Sequence, residues 1–211
     1  MTPDEAAVYK HVLREIGGAP TRWPGGWPNE IDAALIDAIF SAQAHYGSRR
    51  PGHETGVFAV VTRWRATRSA PNDLQVLAAM DEATLLELLN NGGKQSGRTK
   101  ALVVIEAAKR LTENGIRTSD DLTSEPNSMR TARSAYLSVR GCGPVTWSYF
   151  CILLGTDGVK ADTMVNRFVA DALGRPTNPK EAERLVVKVA DELHLPAHQL
   201  DHAIWAHQRL M

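Results

Sequence analysis

Hydrophobic residues recur every three or four positions along most of the chain, which is the spacing of amphipathic helices. Thr2, Pro3 and Glu5 form a capping-box start, and Asn178 before Pro179 is a second helix-start signal. The pattern predicts helices over 4–16, 30–46, 54–68, 81–89, 98–113, 129–139, 144–154, 163–173, 179–193 and 197–210.

The predicted elements point to one fold class. No stretch alternates apolar and polar residues long enough to predict a strand, and no repeat or low-complexity linker interrupts the chain. The number of helices and their short connections predict an all-α protein with two packed helical lobes. No apolar run approaches the roughly 18 residues of a membrane span, and the polar start is unlike a signal peptide. We therefore expect a cytoplasmic protein without a membrane partner.

The charge balance changes meaning when it is sorted by position. The 24 basic and 24 acidic side chains give a net charge of zero, which argues against a nucleic-acid partner. However, 43–72 carries a net charge of +4, 88–111 of +4 and 126–175 of +3. If these blocks share one face, a neutral protein presents a basic surface. The alternative is that charged loops and solvated helix faces simply alternate.

Several cations of these blocks are candidates for contacting phosphate groups. A structural salt bridge is the alternative for Arg167. The candidates are Arg49, Arg50, Lys94, Arg98, Lys100, Arg140 and Arg167.

The cysteine and histidine content argues against a metal centre. Two cysteines, Cys142 and Cys151, are too few for a disulfide scaffold, a zinc ribbon or an iron–sulfur cluster ligated by cysteine alone. His198 and His202 stand four residues apart beside Asp201, a spacing that can bind zinc. No third ligand with motif spacing accompanies them, so a solvated or capped helix face is the favoured interpretation.

The segment Arg140-Gly141-Cys142-Gly143 joins two predicted helices. Glycines permit positive φ and leave the backbone bare, so successive N–H groups at the start of the second helix can meet a phosphate oxygen. The alternative is an ordinary helical hairpin in which Gly141 is a helix C-cap. Local chemistry leaves both open.

Asp162 directly precedes a predicted helix whose apolar stripe contains Val165 and Phe168 and which ends at Gly174. An N-cap role alone explains an aspartate at this position. A carboxylate held at a helix N-terminus is also suited to stabilise a cationic sugar transition state or to orient an attacking water.

Together these segments carry a resemblance. A Gly-x-Gly hairpin followed by Asp162-Thr-Met-Val-Asn-Arg-Phe168 resembles the helix-hairpin-helix (HhH-GPD) DNA glycosylase superfamily, typified by endonuclease III. Phe40-Ser-Ala-Gln43 is similar to the Leu-Ser-Ala-Gln of that family. The segments 98–101 and 200–205 resemble the start of its mid-barrel helix and its final helix. The resemblance covers about residues 30–211, in the same order.

The resemblance implies a two-lobed fold with DNA bound across a cleft. One lobe, 31–154, is a six-helix barrel that includes the helix-hairpin-helix at about 129–154. The other combines 1–30 with 155–211 and carries the catalytic residue, Asp162.

It also implies roles for individual residues. Gln43 enters the duplex where the flipped nucleotide leaves, and the 91–97 loop supplies a second wedge. The backbone amides of Gly141 and Gly143 hold a phosphate. The expected DNA contacts are Gln43, Arg140, Gly141, Cys142, Gly143, Lys100 and Lys160. The base pocket is expected to contain His45, Tyr46 and Trp147, with a core position as the alternative for Trp147. The backbone carbonyls of Leu137, Val139 and Cys142 are expected to hold a monovalent cation, Na⁺ or K⁺.

The chain departs from the family at three points. Bifunctional members have a lysine nucleophile where this chain has Val145, and an aliphatic side chain cannot attack a sugar carbon. Lys160 is a weaker candidate for a substitute amine. Met164 replaces a histidine often found two residues after the aspartate, and the iron–sulfur loop of the family is expected to be absent.

The leading hypothesis is therefore a monofunctional DNA glycosylase of base-excision repair. We expect a monomeric, nucleoid-associated enzyme that binds double-stranded DNA and requires no cofactor. The alternative is a non-catalytic helix-hairpin-helix protein that binds DNA and senses lesions. A weaker alternative, favoured by the neutral charge, is a helical interaction protein without nucleic acid.

Overall fold

A computed structural model describes residues 1–20, 22–44, 46–50, 52–123 and 125–210. Within these ranges the chain forms eleven α-helices, one short 3-10 helix and one two-stranded antiparallel sheet. The all-α prediction is confirmed. In the described part of the chain, none of the helices is long and apolar enough to cross a bilayer.

The chain divides into two compact units. The continuous unit is Gly26–Gly155, and the split unit combines Met1–Gly25 with Thr156–Met211. That these units are a six-helix barrel lobe and a second glycosylase lobe stays a prediction.

In its described residues, the split unit is built from four helices around one apolar core. They are α1 (Pro3–Glu15), α9 (Thr163–Leu173), α10 (Pro179–Glu192) and α11 (Ala197–Gln208). Helix α1 starts with the expected capping box, because Thr2 Oγ1 accepts the N–H of Glu5 while the Glu5 carboxylate accepts the N–H of Thr2. Val12, Phe168 and Leu185 belong to the buried cluster at the centre of the unit.

The continuous unit contains the remaining elements. They are α2 (Ile31–Phe40), α3 (Gly56–Thr67), α4 (Leu74–Ala78), α5 (Glu82–Leu89), β1 (Lys94–Gln95), β2 (Arg98–Thr99), α6 (Lys100–Glu113), a 3-10 helix (Asp120–Leu122), α7 (Ser128–Leu137) and α8 (Pro144–Leu153). Helix α2 is buried along its whole length and packs against α3, α6 and α8.

The buried helix α2 carries two aspartates whose carboxylates accept hydrogen bonds from side chains of the same unit. Asp32 Oδ2 accepts the indole N–H of Trp64 at 2.7 Å and a guanidinium N–H of Arg68 at 2.8 Å. Asp37 Oδ2 accepts the indole N–H of Trp27 at 2.7 Å. Buried carboxylates require such donors, so these contacts make a fully buried α2 compatible with its charged residues.

The main difference from the predicted elements lies at the end of α2. A helix was expected over 30–46, but α2 ends at Phe40, and Gln43 has a left-handed φ of +51°. The prediction is wrong because the ammonium of Lys100 binds the carbonyls of Phe40 and Ala42 and replaces the hydrogen bonds of a further turn. Helix α4 and the two strands were not predicted, since elements this short show no periodicity.

Candidate nucleic-acid interface and carboxyl site

The turn between α7 and α8, in the continuous unit, depends on glycine. Gly141 has φ +107°, which disfavours other residues, and a Cβ there would lie 3.0 Å from Cγ2 of Val103 on α6. The C-cap of α7 is Ser138, so the interpretation of Gly141 as that cap is wrong. Gly143 is extended and serves as the N-cap of α8, with Pro144 at the first helical position.

The backbone amides of this turn differ in what they can offer an anion. The N–H of Gly143 already donates to Thr146 Oγ1 at 3.0 Å, and the expected phosphate contact of this amide stays a prediction. Among the described residues, no acceptor meets the N–H groups of Gly141, Val145 or Thr146. Two amides of the first turn of α8 and that of Gly141 are therefore the ones that an anion can use.

The carbonyls expected to hold a cation lie in the same turn. Val139 O accepts the N–H of Cys142 at 3.0 Å. The carbonyls of Leu137 and Cys142 accept no hydrogen bond from any residue that the structure describes. These oxygens retain lone pairs for a monovalent cation, and the ion itself stays a prediction.

Three loops of the continuous unit are tied together by hydrogen bonds. Gln95 Nε2 donates to the carbonyl of Gly141, which joins the β1–β2 hairpin to the α7–α8 turn. Lys100 Nζ donates to Phe40 O at 2.9 Å and to Ala42 O at 2.6 Å, and its N–H donates to Gly93 O at 2.8 Å. Residues 41–44, 94–99 and 138–143 thus form one connected group, which we call the loop cluster.

The loop cluster presents several exposed residues. Gln43 is exposed just after α2, Ser96 and Gly97 are exposed at the tip of the β1–β2 hairpin, and Arg140 is exposed in the α7–α8 turn. The structure therefore brings the two expected wedges and the expected phosphate-binding turn into one connected set. The linking role of Gln95 was missed from the sequence, because an amide side chain in a two-residue strand carries no signal of its own.

Lys100 requires a correction, since it was expected to contact DNA. Its side chain is buried, with 5% of the residue exposed, and its ammonium binds backbone carbonyls. A phosphate contact is therefore not its role in this structure. A signal was present in the sequence: Lys100 is the first residue of α6, where a cation opposes the helix dipole and needs another partner.

The other basic candidates differ in whether their side chains contact another residue or are exposed. Arg98 forms an ion pair with Glu106, and the Arg49 guanidinium lies 5.0 Å from the Phe58 ring centroid. Arg50, Lys94 and Arg140 are exposed. Arg167, in the split unit, bonds the side chain of Gln208, so the alternative of a salt bridge is wrong for it. The charge blocks therefore overstate the number of cations available to a polyanion.

The two described residues that were expected in a base pocket differ in how deeply they are buried. His45 lies outside the described residues. Trp147 is 6% exposed and packs against Tyr136 and Phe150, with ring centroids 5.4 and 5.6 Å away, so it is a core residue rather than a pocket wall. Tyr46 is half-buried, and its hydroxyl donates to Asp37 Oδ2 at 2.8 Å.

The contact between Tyr46 and Asp37 changes the chemistry of the tyrosine. Burial raises the pKa of Tyr46, and the nearby carboxylate of Asp37 raises it further. The hydroxyl therefore keeps its proton, and with it the hydrogen bond to Asp37, to a higher pH than an ordinary tyrosine does. This pair was missed from the sequence, although an aspartate inside the apolar run of α2 was a signal that a buried donor would be needed.

Asp162, in the split unit, caps α9 with one of its two carboxylate oxygens. Oδ1 accepts the N–H of Met164 at 2.8 Å and that of Val165 at 3.2 Å. Within the described ranges Oδ2 accepts no hydrogen bond, and the residue is half-buried. The predicted N-cap is confirmed, and one oxygen is left for other chemistry.

A second carboxyl group lies near Asp162 in the same unit. Asp201, on α11, is 9% exposed, and its Oδ1 accepts the N–H of Lys160 at 3.1 Å. Burial raises the pKa of Asp201 well above its usual range, and the charge of Asp162 raises it further. The ammonium of Lys160 and its N–H act in the opposite direction. The sequence pattern indicates Asp201 only as a neighbour of His198 and His202.

Those two histidines are engaged elsewhere. His198 Nδ1 lies 2.8 Å from Oδ1 of Asp157, whose carboxylate also accepts the N–H groups of Ala197 and His198 at the start of α11. The His202 ring stacks on Trp205 with centroids 5.5 Å apart. Over the part of the chain that the structure describes, no three His, Cys, Asp or Glu side chains are grouped so as to hold a metal ion.

Comparison with known families places this chain. A family model described as "Domain of unknown function (DUF8548)" matches residues 7–209. The chain belongs to this family. Among curated proteins, none matches the chain significantly. The description of this family assigns no activity to its members.

Proposed function

We propose that this protein is a monofunctional DNA glycosylase, which flips a damaged or modified base out of duplex DNA and hydrolyses its N-glycosidic bond. The observation that carries the proposal is the Asp162 carboxylate, oriented through Oδ1 by two amides of α9 and with Oδ2 unengaged among the described residues. A fixed carboxylate of this kind stabilises an oxocarbenium-like sugar as it forms.

The loop cluster supports DNA as the substrate. The amides of Gly141, Val145 and Thr146, which meet no acceptor among the described residues, and the exposed Arg140 side chain offer a phosphate both hydrogen bonds and charge. Gln43 is exposed in a loop whose backbone is fixed by Lys100, as a residue that fills the space of an extruded nucleotide must be. Each unit thus carries one part of the proposed activity.

The chemistry assigned to the chain is hydrolysis without strand cleavage. The bond between C1′ and the base breaks, water adds to C1′, and its proton leaves with the base. Val145 stands where a lysine nucleophile would form a covalent sugar adduct, and it has no group that can do so. We therefore expect an abasic site as the product.

The direct test is excision from duplexes that each carry one uracil, hypoxanthine, alkylated base or oxidised base. Enzyme in excess is incubated with each duplex, and the strand is examined before and after alkali. Cleavage only after alkali supports the proposal for that base, and cleavage before alkali contradicts the monofunctional assignment. The absence of product from every duplex would overturn the glycosylase proposal.

The test of Asp162 uses a matched cap variant. Asp162→Asn is expected to abolish excision while leaving the affinity for duplex DNA unchanged. Asp81→Asn is the control, because Asp81 caps α5 through the same kind of contact to a backbone N–H. Excision that survives in Asp162→Asn, or that is lost equally in both variants, contradicts the assigned role.

A non-catalytic DNA-binding protein is the second candidate. It is favoured by the loop cluster, because the phosphate-binding features of the continuous unit do not involve Asp162. Tight binding to a duplex with an abasic-site analogue, together with no product from any base and no effect of Asp162→Asn on binding, would select this alternative.

A further inference from the structure

Asp201 is linked to Asp162 through two consecutive hydrogen bonds. The carboxylate Oδ1 of Asp201 accepts the N–H of Lys160 at 3.1 Å. The carbonyl of Lys160 in turn accepts the N–H of Asp162 at 2.6 Å, which closes a tight turn over 160–162. A side chain on α11 therefore fixes the backbone from which the Asp162 carboxylate projects.

The same turn is fixed from α9 as well. Asn166 Nδ2 donates to the carbonyl of Ala161 at 3.0 Å and to that of Asp162 at 2.7 Å. Ala161 is 5% exposed and belongs to the apolar core of the split unit. The position of Asp162 is thus determined from three sides, by Asp201 on α11, by Asn166 on α9 and by the packing of Ala161 in the core.

The contact from α11 is chemically unlike the other two, because it comes from a buried acid. The charged groups that act on Asp201 are Asp162, whose charge disfavours ionisation of Asp201, and Lys160, which favours it. Burial is the largest influence and raises the pKa of Asp201. The ionised form of Asp201 is therefore disfavoured, and its Oδ1 can accept the N–H of Lys160 whether the carboxyl group is ionised or protonated.

We propose that Asp201 is a positioning residue for Asp162, because its buried carboxyl group holds the 160–162 turn from α11. The consequence of this role for catalysis rests on the proposed glycosylase function. The structural part of the proposal, a buried carboxyl group whose titration is coupled to Asp162 and sensed by the Lys160 amide, does not depend on that function.

The test of the structural part is a pH titration of the full chain by NMR. The ¹³Cγ resonance of Asp201 is expected to titrate above the usual range of an aspartate, and the Lys160 amide resonance to follow the same midpoint. In Asp162→Asn the midpoint of Asp201 is expected to fall, because the neighbouring negative charge is gone. In Asp201→Asn the Lys160 amide should show no such transition. An Asp201 midpoint in the usual range, or a Lys160 amide insensitive to it, overturns the proposal.

The catalytic part is tested on the duplex that gives product in the excision assay. Asp201→Ala is expected to slow excision by about 10²-fold, because Asp162 is then misplaced, and to leave the affinity for DNA unchanged. Asp201→Asn keeps an acceptor for the N–H of Lys160, so it is expected to keep most of the excision rate. Leu200→Ala, at a buried position of the same helix, is the control for lost stability. Equal slowing in Asp201→Ala and Leu200→Ala, measured where both are folded by circular dichroism, contradicts positioning. If no duplex gives product, the glycosylase proposal fails while the NMR titration still decides the role of Asp201.

Discussion

The ammonium group of Lys100 lies 2.6 Å from the carbonyl oxygen of Ala42, the residue before Gln43. The same group binds Phe40 O at 2.9 Å, so one side chain from the start of α6 closes the C-terminus of α2. Helix ends require donors for their last carbonyls, and a buried lysine supplies them here at a distance of about sixty residues in sequence. The geometry of the Gln43 loop therefore depends on Lys100, which the sequence predicts as a DNA contact.

Replacing Lys100 by methionine tests this structural role. Lys100→Met keeps the aliphatic stem but leaves two carbonyls without their donor, so the free energy of unfolding is expected to fall by about 1–3 kcal/mol. Denaturation with urea, followed by circular dichroism, measures the change. Lys94→Met is the control, since Lys94 is exposed, and it should change stability little. Equal stability of the two variants would contradict the role of Lys100.

The salt dependence of DNA binding separates phosphate contacts from structural cations. Arg140→Gln is expected to weaken binding to any duplex. It is also expected to reduce the magnitude of the slope of log K against log salt by about 1, because binding then releases about one counterion fewer. Lys100→Met should leave this slope unchanged, since its ammonium is buried. Fluorescence anisotropy at several salt concentrations gives the slopes. A reduced slope in Lys100→Met together with an unchanged slope in Arg140→Gln would reverse the two assignments.

The sequence predicts elements well where the deciding contacts are local. Thr2, Asp81, Asp162 and Asn178 cap helices as expected, because a cap depends on a side chain and an amide two or three residues away. The end of α2 was mispredicted because its deciding contact, Lys100, is remote in sequence.

The roles of individual candidates were harder to predict for the same reason. Whether a lysine or tryptophan faces solvent is fixed by packing, so the burial of Lys100 and the choice of the core alternative for Trp147 follow only from the fold. The hydrogen bond of Gly143 to Thr146 likewise depends on a rotamer that no motif specifies. Asp162 and Gly141, by contrast, have residue-specific local roles, and these were accessible from the sequence.

The two glycines of the α7–α8 turn are expected to respond differently to alanine. Gly141→Ala places a Cβ at a φ of +107° and 3.0 Å from Val103, so it is expected to lower stability by about 1–3 kcal/mol. Gly143 is extended, and a Cβ there would meet nothing within 4 Å, so Gly143→Ala should change stability by less than about 1 kcal/mol. Thermal unfolding compares the two. A larger loss in Gly143→Ala would contradict the turn geometry.

Acid sensitivity of the split unit is expected to depend on Glu181. Hydrogen bonds from Arg175 and Thr177 lower the pKa of Glu181 from 4.5 to about 2. A carboxyl whose pKa is lower in the folded state stabilises the fold above its unfolded pKa, and this contribution is lost as the pH falls toward the folded value. The melting temperature of Glu181→Gln should therefore lie below that of the unchanged chain at pH 7. The gap should narrow as the pH falls from about 4.5 toward 2.

The matched control for this titration is Glu183→Gln, on the same helix. Glu183 is exposed and forms no ion pair with any residue in the described ranges, so its replacement should leave both the melting temperature and its pH dependence close to those of the unchanged chain.

Because Arg175 also bonds Asp4 at the start of α1, the loss of Glu181 leaves that guanidinium with one carboxylate partner rather than none. The gap at pH 7 should consequently be smaller in Glu181→Gln than in Arg175→Met, which removes both contacts. A gap for Glu181→Gln that is constant down to pH 2 would show that the lowered pKa of Glu181 does not contribute to stability.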